Sequence, residues 1–95
     1  MLTGKQKRYL RSLANQTRAL FQVGKDGLSD NLFSTIHDSL EAHELVKISV
    51  LKSCNEEVRE LAFDLAAQTN SEIAQIIGRT IVLYRKSKNN LIQLP

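Results

Sequence analysis

Apolar residues recur along this chain with two periods. Near the N-terminus, Tyr9, Leu10, Leu13 and Ala14 share one face at helical spacing. Arg8 and Arg11 fall opposite, with Lys5 and Lys7 on the flanks. Thr3 is a good N-cap, so a first helix is expected from there to Gln16. The run "ALFQV", residues 19–23, reads as a first strand. Ser29 then caps a second helix whose stripe is Leu32, Phe33, Ile36 and Leu40. Residues 45–51, "LVKISVL", alternate: Val46, Ile48 and Val50 face one way, Lys47 and Ser49 the other. "SCNE" has capping-box form, Ser53 reaching forward and Glu56 back. A third helix is expected to follow, with Cys54, Val58, Leu61, Ala62 and Leu65 on its stripe and Asn70 at its end. In "SEIAQIIGRTIVLYRK", Gly78 separates two β-branched runs, and Gly78-Arg79 suits a two-residue hairpin loop. The predicted order is α-β-α-β-α-β-β. The fold class is α/β of the α+β type, a four-stranded mixed sheet with packed helices. Its first two strands are parallel through a right-handed crossover, and the tail from Ser87 is expected to fray.

Composition adds limits. A length of 95 residues fits one domain, taken as 1–95, and 42% hydrophobic with 24% charged residues is ordinary for a globular chain. The single cysteine, Cys54, leaves no disulfide framework and no cysteine zinc cluster, and a reducing cytoplasmic setting is expected. The basic, acid-free N-terminus has the composition of a transit peptide, but it runs straight into the first strand and is read as part of the domain. Charge is segregated. Residues 1–25 carry +6, residues 26–72 carry −7 and residues 73–95 carry +4, within a net charge of +3. If the two ends meet in the fold, one basic surface opposes an acidic one and suits a polyanion.

Between the first strand and second helix lies Gly24-Lys25-Asp26-Gly27. Two glycines at this spacing permit a tight turn and close backbone approach. The loop feeds a helix N-terminus, which favours an anion, and Lys25 adds a charge. The motif lacks the Gly-Lys-Ser/Thr ending of a nucleotide P-loop, and no Gly-x-Gly-x-x-Gly is present, which excludes those ATP and dinucleotide fingerprints. A Gly-x-x-Gly loop at a helix entrance is instead how KH domains grip a nucleic-acid backbone. Lys5, Lys7, Arg8, Arg11, Arg18, Arg79, Arg85 and Lys86 complete a candidate phosphate-binding surface, with Lys88 beyond them.

The stretches "LTGKQKRYLRSLA", "VGKDGL" and "IAQIIGRTIVLYR", in this order, resemble the signature segments of the CRM domain (chloroplast RNA splicing and ribosome maturation) in its stand-alone bacterial YhbY-like form. The resemblance spans Leu2 to about Lys86. It implies an RNA-binding fold like the C-terminal domain of translation initiation factor 3 and a partner in ribosomal RNA of large-subunit (50S) precursors. By position, it places the RNA-binding loop at Gly24, Lys25, Asp26 and Gly27, and the basic surface on the first helix and Arg79. Two residues depart from the family pattern: Asn70, where Gly is common, and Phe63, where a polar residue is expected.

Some single residues invite a functional reading. Phe63 falls opposite the apolar stripe of the third helix, among Glu56, Arg59 and Glu60. Cys54 suits a small core position better than a reactive thiol. His37 and His43 have the wrong spacing for a shared metal. Tyr9 is expected to anchor the first helix, and Tyr84 fits either the core or a base-stacking role. No catalytic constellation, cofactor motif or metal set emerges, and a non-enzymatic monomer is expected. Two rival readings stay open: a protein adaptor using the acidic middle and Phe63, and a membrane-surface protein using its basic first helix.

Overall fold

The computed structural model describes residues 1–95. The elements follow the expected order: α1 (Gly4–Ala14), β1 (Phe21–Val23), α2 (Asp30–His43), β2 (Leu45–Val50), α3 (Val58–Thr69), β3 (Glu72–Ile77) and β4 (Thr80–Tyr84). The four strands form one sheet in the order β1-β2-β4-β3. β1 and β2 are parallel, as a crossover through α2 requires. β4 is antiparallel to both β2 and β3, so the hairpin inserts its second strand at the centre and leaves β3 at the edge.

Alternation along the central strands divides the interior in two. Val46, Ile48 and Val50 of β2 with Ile81 and Leu83 of β4 meet Ile36 and Leu40 of α2 and Leu61 and Leu65 of α3. On the other face Leu45, Val82 and Tyr84 meet Leu2, Leu10 and Ala14 from α1 and its lead-in. The sheet is thus covered on both sides, α1 on one and α2 with α3 on the other. Ile73 and Ile76 both pack on the α2/α3 side although they are three apart. A register shift between Ile73 and Gln75 reconciles this spacing with a two-residue period, and Ala74 turns toward α1.

Local chemistry explains most boundaries. Thr3 and Gln6 form a reciprocal capping box on α1, and Ser29 Oγ accepts from the Leu32 amide at 3.1 Å. Asn70 ends α3 in the left-handed region, φ 53°. Gly78 has φ 57°, while Arg79 does not turn positive, the pattern of a type II′ hairpin.

Four expectations require correction. First, α1 stops at Ala14 rather than Gln16, and β1 begins at Phe21 rather than Ala19. Second, Ser53 and Glu56 do not cap α3, which starts at Val58 without a side-chain cap. The Arg79 guanidinium donates to the carbonyls of Val50 (2.9 Å), Leu51 (2.7 Å) and Cys54 (3.5 Å), holding residues 51–54 as a turn. Cys54 is buried as expected, but from this turn and not from the helix. Third, Tyr9 is exposed and Tyr84 is the core tyrosine, only 4% exposed. Fourth, the chain after Ser87 packs instead of fraying. The Ser87 amide and hydroxyl and the Ile92 amide all donate to the buried Glu44 carboxylate, each at 2.7 Å. Ile92 and Leu94 then pack on the α1-side core.

Candidate nucleic-acid interface

The structure sorts the predicted cations into two groups. Arg79 is bound to the β2–α3 carbonyls described above. Arg85 is equally committed: its guanidinium donates to the carbonyls of Thr69 at 2.7 Å and His37 at 3.2 Å, and it lies 3.6 Å from Glu41. These two arginines join elements of the fold, a use that a count of basic residues does not reveal. By contrast, the side chains of Lys5, Lys7, Arg8, Arg11, Arg18, Lys25 and Lys86 make no hydrogen bond or ion pair within the protein. All but the half-buried Lys7 are exposed.

These free cations are arranged by the layers. α1 presents Lys5, Arg8 and Arg11 to solvent because Leu10 and Ala14 face the sheet. Lys86 lies beside Tyr84 and Ile92 on the same side of the sheet. Gln6 Nε2 donates to the Pro95 carbonyl at 3.2 Å, so the two chain ends do meet. The acidic residues of α2 and α3 lie across the sheet. Part of the basic end segments is thus brought together on the α1 side, while Arg79, Arg85 and the Lys25 loop lie toward α2 and α3. Lys47, in sequence only a polar strand residue, points toward α1. Its ammonium donates to the carbonyls of Ala14 (3.2 Å) and Thr17 (3.4 Å), neutralising the negative end of that helix.

The Gly24–Gly27 loop is a β-turn closed by the Gly27 amide on the Gly24 carbonyl at 3.0 Å, with exposed Lys25 and Asp26 at its corners. Only one of its glycines is demanded by geometry. Gly27 has φ 68°, and a Cβ there would come within 2.6 Å of a Glu56 carboxylate oxygen. Gly24 has no such backbone, and a Cβ would meet Leu51 and Ser53 at ordinary contact distances of 3.4 and 3.6 Å. Electrostatically the loop is mixed. Lys25 is countered by Asp26, by Asp30 in the first turn of α2 and by Glu56 over Gly27. Ser29 already satisfies one of the free amides of α2.

Phe63 is 57% exposed on α3, as its place in the helical pattern predicts. Phe63→Glu should therefore change stability by no more than about 0.5 kcal/mol in a denaturant melt. A loss of several kcal/mol would place the ring in a packed environment and refute the exposed assignment. No helix is long and apolar enough to cross a membrane. No group of three or more His, Cys, Asp or Glu side chains is placed to hold a metal ion.

Comparison with known proteins agrees with this architecture. The family model for the CRS1 / YhbY (CRM) domain matches residues 2–85. The chain is 51% identical over 96 residues to a Bacillus subtilis protein named "Probable RNA-binding protein YqeI", covering all of both. It is 33% identical over 94 residues to a Haemophilus influenzae protein named "RNA-binding protein", covering 99% of this chain and 95% of that one. Among solved structures it resembles the solution structure of the hypothetical protein SAV1595 from Staphylococcus aureus, with a TM-score of 0.83 and 51% identity over the whole of both chains.

Proposed function

The chain belongs to the CRS1/YhbY (CRM) domain family, and from that premise we propose that it is an RNA-binding protein that grips ribosomal RNA by its phosphate backbone during assembly of the large ribosomal subunit. The observation that carries the reading is the set of free cations. Lys5, Arg8, Arg11, Arg18, Lys25 and Lys86 are exposed and unpaired, while Arg79 and Arg85 are bound inside the fold. Unpaired surface cations gain most from a polyanion because phosphates release their counterions on contact. Arg79 and Arg85 act on this surface indirectly, by fixing the β2–α3 turn and the α2–α3 side of the sheet. The protein works as a monomer in the cytoplasm, without a cofactor, and contacts phosphates without reading sequence.

The glycine loop is the place to test this. Lys25→Asp would leave both glycines and the turn in place and set two adjacent aspartates at its corners. RNA affinity is expected to fall at least tenfold, about 1.4 kcal/mol, and by a similar factor for unrelated RNA sequences. A folded variant that binds as tightly as the parent would reduce the loop to a turn. Glu56→Gln should act in the opposite direction. It removes a carboxylate from beside the Gly27 backbone and should tighten binding about threefold, the scale of one exposed charge pair. Weaker binding by this variant would indicate that Glu56 supports the loop instead of opposing phosphate. The assembly role is tested separately by crosslinking in cells and sequencing the attached RNA. Ribosomal RNA should dominate, and dispersed messenger RNA in its place would remove the assembly claim.

A further inference from the structure

A hollow of about 460 Å³ opens where the end of α1, the start of β1 and the C-terminal tail converge. This volume lies within the range of small-ligand sites. Its floor is apolar: Leu13 from α1, Leu20 before β1, Leu45 of β2 and Ile92 of the tail. Gln16, Thr17, Arg18 and His43 form the polar half of the lining, and no acidic side chain lines the space. Leu20 is 59% exposed and presents its apolar side chain to the space beside Arg18.

The hollow is a built feature of the fold. Ile92 is positioned by its backbone amide, which donates a hydrogen bond to the buried Glu44 carboxylate at 2.7 Å. Lys47 neutralises the carbonyl end of α1 that borders the space, where bare carbonyls would repel a nearby phosphate. Arg18, just past α1, has no partner within the protein, and exposed Arg11 lies in the last turn of α1.

We propose that this hollow receives a single unpaired nucleobase of the bound RNA. The inference rests on the RNA-binding reading and deepens it. A nucleobase is the occupant whose chemistry fits: its faces are flat and apolar enough for Leu13, Leu20 and Ile92, and they stack on imidazole or guanidinium planes such as His43 and Arg18. Its phosphate follows a few bonds away and meets the free arginine charge. A base paired within a duplex cannot enter. The protein therefore prefers RNA with a bulged or looped nucleotide, and that preference comes from α1's end and the tail, separate from the glycine loop.

The test uses the full chain and two synthetic RNA duplexes with the same number of phosphates. One carries a single bulged adenosine, the other an abasic nucleotide at the bulge. The wild-type protein should bind the adenosine bulge about tenfold more tightly, within the range typical of stacking one base. Leu20→Ser combined with His43→Ala should abolish that ratio while leaving abasic-RNA affinity and its salt dependence unchanged. Both positions are exposed, so the fold should persist, which a thermal melt checks. His43→Phe, which keeps a flat ring, should retain the ratio. Equal binding of the two RNAs by the wild type, or a ratio that survives in the double variant, would overturn the base pocket alone. Failure to bind either RNA would instead overturn the RNA-binding reading and the pocket with it.

Discussion

Glu44→Gln should lower the melting temperature by about 10 °C at neutral pH, a loss of about 2 kcal/mol in a domain of this size. Glu44 closes α2 in the left-handed conformation, φ 67°, and has no exposed surface. Burial alone would raise its carboxyl pKa. Donation from the Ser87 hydroxyl and amide, and from the amides of Ile92 and Leu91, outweighs burial and holds it below the ordinary value of 4.5. Glutamine has nearly the same shape and meets the left-handed backbone equally well. It turns one acceptor into a donor facing amides that can only donate, so the substitution isolates the charge and its hydrogen bonds. The sign with pH follows from the depressed pKa. The stabilisation is complete above the unfolded value near 4.5 and is lost as pH falls through the lower folded value. Melting curves of the parent and the variant should converge on acidification. Amide exchange should accelerate at Ser87 and Ile92 in the variant. A second readout is Tyr84, whose pKa is raised by burial first and then by Glu44 and Glu72. Its titration should move down toward the ordinary tyrosine value when Glu44 is neutralised. An unchanged melting temperature together with a still-protected Ile92 amide would show that the carboxylate does not hold the tail.

The same carboxylate also marks the limit of what the sequence makes legible. Helical periodicity marks α1, α2 and α3, and alternation marks β2 through Val46, Ile48 and Val50; β3 and β4 are read instead from the β-branched runs on either side of Gly78, because Ile81 to Tyr84 are all buried and do not alternate. Special backbone positions are equally legible where residue type is diagnostic, as at Gly27, Asn70 and Gly78. Glutamate at a left-handed helix end is not diagnostic, and its buried role depends on Ser87 and Ile92, which lie 43 and 48 residues away. Its only signal is an acid pressed directly against the apolar run of β2. Tail order is hidden for the same reason, since its anchor lies outside the tail. The capping box at Ser53 and Glu56 satisfies a local rule that the distant Arg79 overrides by binding the carbonyls of Val50, Leu51 and Cys54. Charge counting nominates the basic residues, but it treats all arginines alike. Arg79 and Arg85 differ from Arg8 and Arg11 only in what the fold places beside them.

Reversing Arg8 and Arg11 together to Glu should reduce RNA affinity about a hundredfold at physiological salt and make its salt dependence shallower, by roughly one unit of logarithmic slope for each phosphate no longer neutralised. Both side chains are exposed on the solvent face of α1 and have no partner in the protein, so their charge is available to phosphate. The two substitutions are not equal for the helix. Arg11 lies in the last turn of α1, where a cation favours the dipole, and an acid there should cost about 0.3–1 kcal/mol. Arg8 carries little of that burden, since it sits mid-helix. Lys47 continues to neutralise the Ala14 and Thr17 carbonyls, so α1 should remain docked through Leu10 and Ala14. Comparison with Arg8→Gln/Arg11→Gln separates the loss of attraction from added repulsion: the neutral pair should show most of the slope change and a smaller part of the affinity loss. The measurement is a salt titration of binding for all three proteins on one RNA, with melting curves run alongside. A parent-like slope in both folded variants would place α1 away from the RNA and leave Arg18, Lys25 and Lys86 as the groups that hold it.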